Sequence, residues 1–369
     1  MEINKIYNEE CLQGMEERIP EKSIHLFLSD IPYGINLDEW DVLHDNTNSA
    51  LLGKSPAQEG KSAFKKRGKP INGWNEDDRD INRVYREWVK GWAETVFPVM
   101  KEGAPLLIFG ARRTIADAIV ALEDAGFLVK DILAWKKPNA HHRRQDIFKV
   151  LAKRGNRYRI TSELIKKYST EKGIKNFVEE LREVKGKVYE SARNLVSDLK
   201  EISDTLHKKY RYKILEDSLE DEEIANLIDK WKGWKLGNLA PIYEPIAWLF
   251  KPYNTTTLTD NVIQNEVGAM DVNSCKIDGK SPSNMLEFGF TKNEKENKVH
   301  EAQKPIELIK YLIKLTTRED HIILDPFIGS GTTAVAAKEL DRNFIGFEIN
   351  EEYYEIAQER VSEVQKELI

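Results

Sequence analysis

Only two cysteines occur in 369 residues, Cys11 and Cys275, far apart and in no CxxC pair. That excludes a disulfide framework, offers no thiolate zinc site, and fits a protein of the reducing cytoplasm. Long apolar runs are missing as well. No stretch reaches the eighteen or so residues that a membrane-spanning helix needs, so none is expected. The opening residues, MEINKIYNEE, mix both charge signs and lack the apolar core of a secretory leader. Net basic charge is also absent: 56 Lys and Arg stand against 62 Asp and Glu, a formal charge of −6, which counts against a protein that coats nucleic acid through bulk charge.

What is present is an ordinary globular mixture, 40% hydrophobic and 32% charged, long enough for two or three domains. The charge is unevenly placed. Residues 61–69 read KSAFKKRGK, and between Trp135 and Arg159 nine Lys and Arg face Asp146 alone. An acidic chain can thus present a basic face to phosphates. Lys65, Lys66 and Arg67 in the first segment, and His141, His142, Arg143 and Arg144 in the second, are the candidate phosphate contacts. The paired histidines have no third ligand at suitable spacing, so no metal site is expected.

Short apolar runs alternate with amphipathic stretches. Strands are expected at 23–28, 105–109, 128–135, 243–251, 322–325 and 343–348, and helices at 84–100, 114–124, 305–315, 332–340 and 351–367. This rhythm predicts an α/β protein whose sheet has parallel strand order. Residues 40–80 read as a long polar loop. The segment 160–235 breaks the rhythm: Ile174, Phe177, Leu181, Val184, Val188, Ala192, Leu195 and Leu199 recur at threes and fours, the stripe of an inserted helical element. Residues 252–298 read as loops.

The sharpest local signal is HIILDPFIGSGTTAVAAKELDRNFIGFEIN. A strand ends at Asp325, a turn holds Gly329, Ser330 and Gly331, and a helix opens at Thr332. The glycines with Ala334 match G-x-G-x-x-A, and Glu348 ends the next strand about twenty residues on, where an acid can take ribose hydroxyls. No lysine follows the glycines, so the turn is not a P-loop. A dinucleotide would suit the glycines; Asp325, ahead of the turn, would suit a cationic ligand such as S-adenosylmethionine (SAM). A second signal, Ser29-Asp30-Ile31-Pro32-Tyr33-Gly34, also ends an apolar run. The exocyclic amine of a nucleobase is a weak nucleophile because its lone pair is delocalised into the ring. The Asp30 carboxylate and the Ile31 carbonyl, on a turn stiffened by Pro32, can accept its hydrogens, while Tyr33 can stack on a flipped base.

Together these motifs resemble the SAM-dependent amino methyltransferases of DNA, whose catalytic motif is (D/N/S)-P-P-(Y/F/W) and whose SAM motif reads D-P-F-x-G-S-G-T-T. The second stands complete at Asp325, Pro326, Phe327, Gly329, Ser330, Gly331, Thr332 and Thr333. The order, catalytic motif first and SAM motif last, is that of the permuted beta group. Ile31 replaces the family's second proline, a change that keeps the backbone carbonyl. The resemblance extends to Gln303-Lys304-Pro305, to Glu10 as an acid near the SAM adenine, to Glu348 as the ribose acid, and to the W-x-K-type strand at 132–136; it does not reach 156–235. It implies the Rossmann-like α/β sheet of SAM-dependent methyltransferases, mostly parallel with an antiparallel edge, SAM as cofactor, with Glu10, Lys304, Pro305 and Glu348 joining the SAM motif around it, and duplex DNA as substrate. An acidic first motif residue implies adenine N6, with cytosine N4 as the alternative. It also implies a target-recognition region at 139–240, enlarged by the helical insert 160–235, with further recognition loops at 252–298. The catalytic domain would be built from 1–138, a strand at 241–251, and a SAM-binding part at 299–369. A cognate restriction endonuclease is a compatible partner, and the chain would be a monomer or a homodimer. A nicotinamide-dependent oxidoreductase and a catalytically silent DNA-binding protein are the readings from other classes.

Overall fold

Alternation of apolar side chains within each short strand lets both faces of one sheet be buried at once. Along β2 (Leu26–Asp30), Leu26 and Leu28 pack on one side and Phe27 on the other; along β3 (Pro105–Phe109), Leu107 and Phe109 oppose Leu106 and Ile108. The computed structural model describes residues 1–33, 77–137, 145–146, 230–236, 240–291 and 303–364. Lys65, Lys66, Arg67, His141, His142, Arg143 and Arg144 lie outside the described residues, as does the helical insert up to 229.

The chain divides into two compact units, residues 1–140 with 241–369, and residues 141–240. The first holds the sheet. Besides β2 and β3 its strands are β1 (Lys5–Tyr7), β4 (Leu128–Lys136), β7 (Tyr243–Phe250), β8 (Met285–Glu287), β9 (Ile322–Asp325) and β10 (Asn343–Phe347), in spatial order β1-β10-β9-β2-β3-β7-β4-β8. All run parallel except β7, which lies antiparallel between β3 and β4, toward the β8 edge. Helices α1 (Cys11–Arg18), α2 (Asp77–Val99) and α3 (Ile115–Asp124) cover one face; α5 (Ile306–Thr316), α6 (Thr332–Glu339) and α7 (Glu351–Glu363) cover the other. On α2, Tyr85, Val89, Trp92, Ala93 and Val96 recur at threes and fours and are buried. What is described of the second unit is a two-stranded antiparallel ribbon of β5 (Gln145–Asp146) and β6 (Lys235–Leu236), and the edge-to-face pair Trp231 and Trp234.

Five elements of the first unit depart from the sequence reading, the first being α1, where no helix was expected. Helix α2 begins at Asp77, inside the stretch read as loop. Residues 252–298 are not loop alone: α4 (Leu258–Asn265) is capped by the Thr257 side chain, which accepts the Asp260 amide at 3.1 Å, and β8 pairs with β4. The short strand β1 closes one edge of the sheet beside β10.

Two connections matter for the site. Strand β9 leads through α6 to β10 on one side, whereas β2 leads through α2 to β3 on the other. The adjacent parallel strands β9 and β2 therefore form the switch point at which such sheets open a crevice beyond their carboxyl ends. Where the chain leaves and re-enters the sheet, Lys136 pairs with Tyr243, and the Lys137 N–H donates to the Ile242 carbonyl at 2.7 Å.

Candidate active site

Because β2 and β9 are neighbours and parallel, their last residues, Asp30 and Asp325, emerge side by side. Ser29, buried just before Asp30, ties the strands together: its hydroxyl donates to Asp325 Oδ1 at 2.6 Å. A cavity of about 510 Å³ opens there, within the range of small-molecule sites. Its wall includes Glu10, Asp30, Pro32, Gln303, Lys304, Asp325, Pro326, Phe327, Gly329, Ser330, Thr332, Thr333 and Glu348. Two motifs almost three hundred residues apart thus share one space.

The glycine turn is shaped by its backbone. Gly329 and Gly331 have φ of +53° and +81°, a region costly to residues with a Cβ. A Cβ on Gly329 would enter open space at the cavity, whereas one on Gly331 would lie 2.9 Å from Ala357 Cβ of α7. Glu348 closes the turn: its two oxygens accept the Gly329 and Asn350 amides, each at 2.9 Å. Arg360 of α7 braces the same turn, donating to the Ser330 carbonyl and, at 3.0 Å, to the Ser330 hydroxyl. Burial raises the Glu348 carboxyl above its ordinary value and pushes Asp325 up to about 7, against the opposing bonds from Ser29 and Thr333. Glu10 lines the cavity while capping α1, accepting the Gln13 amide at 3.0 Å. Burial and the Glu10 charge push the Cys11 thiol up to about 12, far from a reactive thiolate.

The motif at Asp30 is locked from behind. Ile31 is fully buried and Tyr33 nearly so. The Pro32 carbonyl accepts from the Tyr85 hydroxyl and the Tyr33 carbonyl from Thr114, both at 3.1 Å. No donor reaches the Ile31 carbonyl among the described residues. The Tyr33 hydroxyl lies 2.8 Å from Asp30 Oδ1 and 2.8 Å from Glu244 Oε1. Lys304, read from sequence as a SAM contact, lines the cavity and also ion-pairs with Asp30 Oδ2, lies 3.1 Å from Glu244 Oε1, and donates to the Tyr33 hydroxyl at 3.0 Å. Lys137 closes the group with an ion pair to Glu244 Oε2. Pro305 starts α5 and is buried behind Lys304.

Four participants escaped the sequence reading. Glu244 and Lys137 carried no motif. Gln303 was noted only as part of Q-K-P, yet it is buried against the cavity and no donor reaches its Oε1 among the described residues. Trp88 lies within the stretch 84–100 that reads simply as a helix, but it lines the cavity with its ring 5.5 Å from that of Phe327. Among the described residues no group of three or more His, Cys, Asp or Glu could hold a metal, and no helix is long and apolar enough to cross a membrane.

Comparison with known proteins agrees with this geometry. The chain is 39% identical to the type II methyltransferase M.HindIII of Haemophilus influenzae over 365 residues, spanning 97% of this chain and 95% of that one. It is 34% identical to the type II methyltransferase M.HpaI of Haemophilus parainfluenzae over 161 residues, 41% of this chain and 49% of that one. In fold it is similar to the solved PvuII DNA methyltransferase, described as cytosine-N4-specific, with a TM-score of 0.50 at 13% identity, covering 99% of this chain and 88% of that one. The model of the N6/N4 DNA methylase family matches residues 24–359, and with a full-length relative at this identity the chain belongs to that family.

Proposed function

We propose that this DNA amino methyltransferase acts on adenine N6 at a specific duplex sequence, with Asp30, Ile31, Pro32 and Tyr33 as its catalytic turn. The observation that carries the reading is the shared cavity: the Asp30 carboxylate faces the same space as Asp325, Glu348 and the glycine turn. Cytosine N4 is the second reading, favoured by the likeness in fold to an enzyme described as cytosine-N4-specific.

The cavity suits SAM, the family's methyl donor. Gly329 leaves open a space that a side chain would fill, Gln303 Oε1 is a buried acceptor without a donor among the described residues, and Asp325 is a buried acid able to face a cation. Glu348 and Glu10 would hold ribose and adenine, Trp88 and Phe327 would supply apolar walls, and the turn from Asp325 to Thr333 with Lys304 and Pro305 would complete the pocket. When bound, SAM supplies an electrophilic methyl group on a sulfonium.

The protein's part is to make a poor nucleophile available. Asp30 and the Ile31 carbonyl accept hydrogens from the flipped base's amine, which draws its geometry toward tetrahedral and frees the lone pair. The Tyr33 face holds the ring, its backbone anchored by Thr114. Positioning of two reactants on one rigid sheet end, and a preformed set of acceptors, supply the acceleration. Residues 139–240 and 252–298 would read the sequence, with Lys65, Lys66, Arg67, His141, His142, Arg143 and Arg144 at phosphates or bases. The type II relatives favour a restriction–modification setting with a cognate endonuclease.

The experiment is transfer from labelled SAM to mixed-sequence duplex DNA, with nucleosides identified by mass spectrometry. N6-methyladenine is expected; N4-methylcytosine would overturn the base assignment. Asp30→Ala is expected to abolish transfer while SAM still binds, and robust transfer by that variant would refute the role of the turn.

A further inference from the structure

Behind Asp30 sits a buried group of charges larger than amine binding requires. Lys304, 6% exposed, reaches three oxygens: Asp30 Oδ2, Glu244 Oε1 and the Tyr33 hydroxyl. Glu244, 7% exposed, comes from the antiparallel strand β7 and has a second cation, Lys137, on its other oxygen. The two carboxylates therefore share Lys304, but only Glu244 has Lys137. The Tyr33 hydroxyl has one proton and two acceptors at the same 2.8 Å distance, one on each carboxylate.

We propose that Glu244 is a positioning residue for methyl transfer: by sharing Lys304 and offering the Tyr33 hydroxyl a second acceptor, it leaves a lone pair on Asp30 Oδ1 for the proton that the methylated amine gives up. The inference rests on the assignment of Asp30 as the amine's acceptor. When the amine nitrogen gains its methyl it must lose one hydrogen. That N–H bond breaks, an O–H bond forms on Asp30, and the Tyr33 hydroxyl turns its proton to Glu244. Water takes the proton from Asp30 after the product leaves.

The electrostatics agree with this division of labour. Burial pushes Asp30 above its ordinary value, with Lys304 opposing and the Glu244 charge adding to the rise. Burial would push Glu244 up as well, but Lys304 and Lys137 together bring it down to about 2. Glu244 thus stays an anion while Asp30 is able to take a proton, a pair of carboxylates whose surroundings drive them apart. Among the described residues, the charged and titratable groups around Asp30 are Tyr33 on its own turn, Glu244 from β7, Lys304 ahead of α5, and Asp325 from β9; Lys137 stands behind Glu244.

The test is single-turnover transfer by the full chain, on duplex DNA that it methylates, across a pH series. Glu244→Gln leaves a neutral amide oxygen where the second carboxylate stood, so Lys304 has one anion to pair with and the Tyr33 hydroxyl donates preferentially to the charged Asp30. The rate is expected to fall on the order of tenfold to a hundredfold, with SAM affinity unchanged and the acid limb moved to lower pH. Lys137→Met, at a half-exposed position, makes Glu244 lean harder on Lys304 and is expected to move the limb to higher pH. Tyr33→Phe removes the contested proton, so Glu244→Gln should cost less in that background, a non-additive pair. Wild-type rate and limb in Glu244→Gln would overturn the proposal. Should that variant not fold, an unmoved limb in Lys137→Met would do the same. Asp30→Ala keeps the two levels apart: if it retains transfer, the active-site reading fails. If it is dead but binds SAM while Glu244→Gln is normal, only the role of Glu244 fails.

Discussion

Gly329 and Gly331 stand two residues apart in one turn, both with positive φ, and replacing each with alanine should damage different properties. An alanine held in the left-handed region costs about 1–2 kcal/mol in either place. At Gly329 that is the whole structural cost, because a Cβ there meets nothing within 4 Å. At Gly331 the new carbon would lie 2.9 Å from Ala357 Cβ and 3.0 Å from its Cα, and α7 must shift to admit it. Overpacking of this kind adds about 1–3 kcal/mol, for a total of about 2–5 kcal/mol. Denaturant unfolding of the two variants without SAM should give a clearly lower midpoint for Gly331→Ala at unchanged slope, and a Tm lowered by about 3–6 °C. Gly329→Ala should lose only the about 1–2 kcal/mol of backbone strain but, with its methyl in the cavity, should weaken SAM binding in a calorimetric titration. Equal stability losses in the two variants would refute the packing argument. Unaltered SAM affinity in Gly329→Ala would remove the turn from the cofactor site.

Asp325 is raised to about 7 by burial, so its neutral form is favoured in the folded chain. Its contribution to stability should be full below the ordinary aspartate value and be lost as pH rises toward about 7, a slope that Asp325→Asn should flatten in denaturation measured across that window. A bound cation favours the charged carboxylate, so SAM affinity in the wild type should rise with pH through the same window, and a flat titration would exclude Asp325 as its partner. The stacked pair His25 and His321, ring centroids 4.2 Å apart, behaves in the opposite sense. Burial lowers them to about 3 and about 4, so their contribution is present above the ordinary histidine value and lost as pH falls toward those values. The double variant His25→Gln/His321→Gln should unfold with a weaker pH dependence on the acid side, and an unchanged acid transition would show that other groups control it.

Much of the sheet could be read from sequence because strands buried on both faces appear as unbroken apolar runs, as in PLLIF and IILD. The acids of the crevice were legible because their signal is local: Asp30 and Asp325 are the last residues of such runs, and both line the cavity. Direction was not legible. YEPIAWLF announces a buried strand, but nothing in it says that β7 runs against β3 and β4. Glu244 was hidden for the same reason, since its partners Tyr33, Lys137 and Lys304 are distant in sequence and meet it only through that strand placement. Trp88 lies at helical spacing from Trp92, so periodicity alone assigned it to a helix face and could not show that this face borders a cavity. Helix α4 did carry a signal, Thr257 with Asp260 three residues on, which is a capping box that the polar composition around it obscured.

The pairing of Lys136 with Tyr243 and the Lys137–Ile242 bond have a consequence for how such a chain can diversify. Lys136 and Tyr243 are the closing pair of an antiparallel stem, at which the chain leaves the sheet and returns to it. Lengthening a flexible loop costs only about 0.6 kcal/mol for each doubling. Whole segments could therefore be grafted, trimmed or exchanged at this stem with little penalty to the scaffold. The ion pair of Lys137 with Glu244 straddles the graft point, so a transplant would keep that pair only if the cut were made inside it.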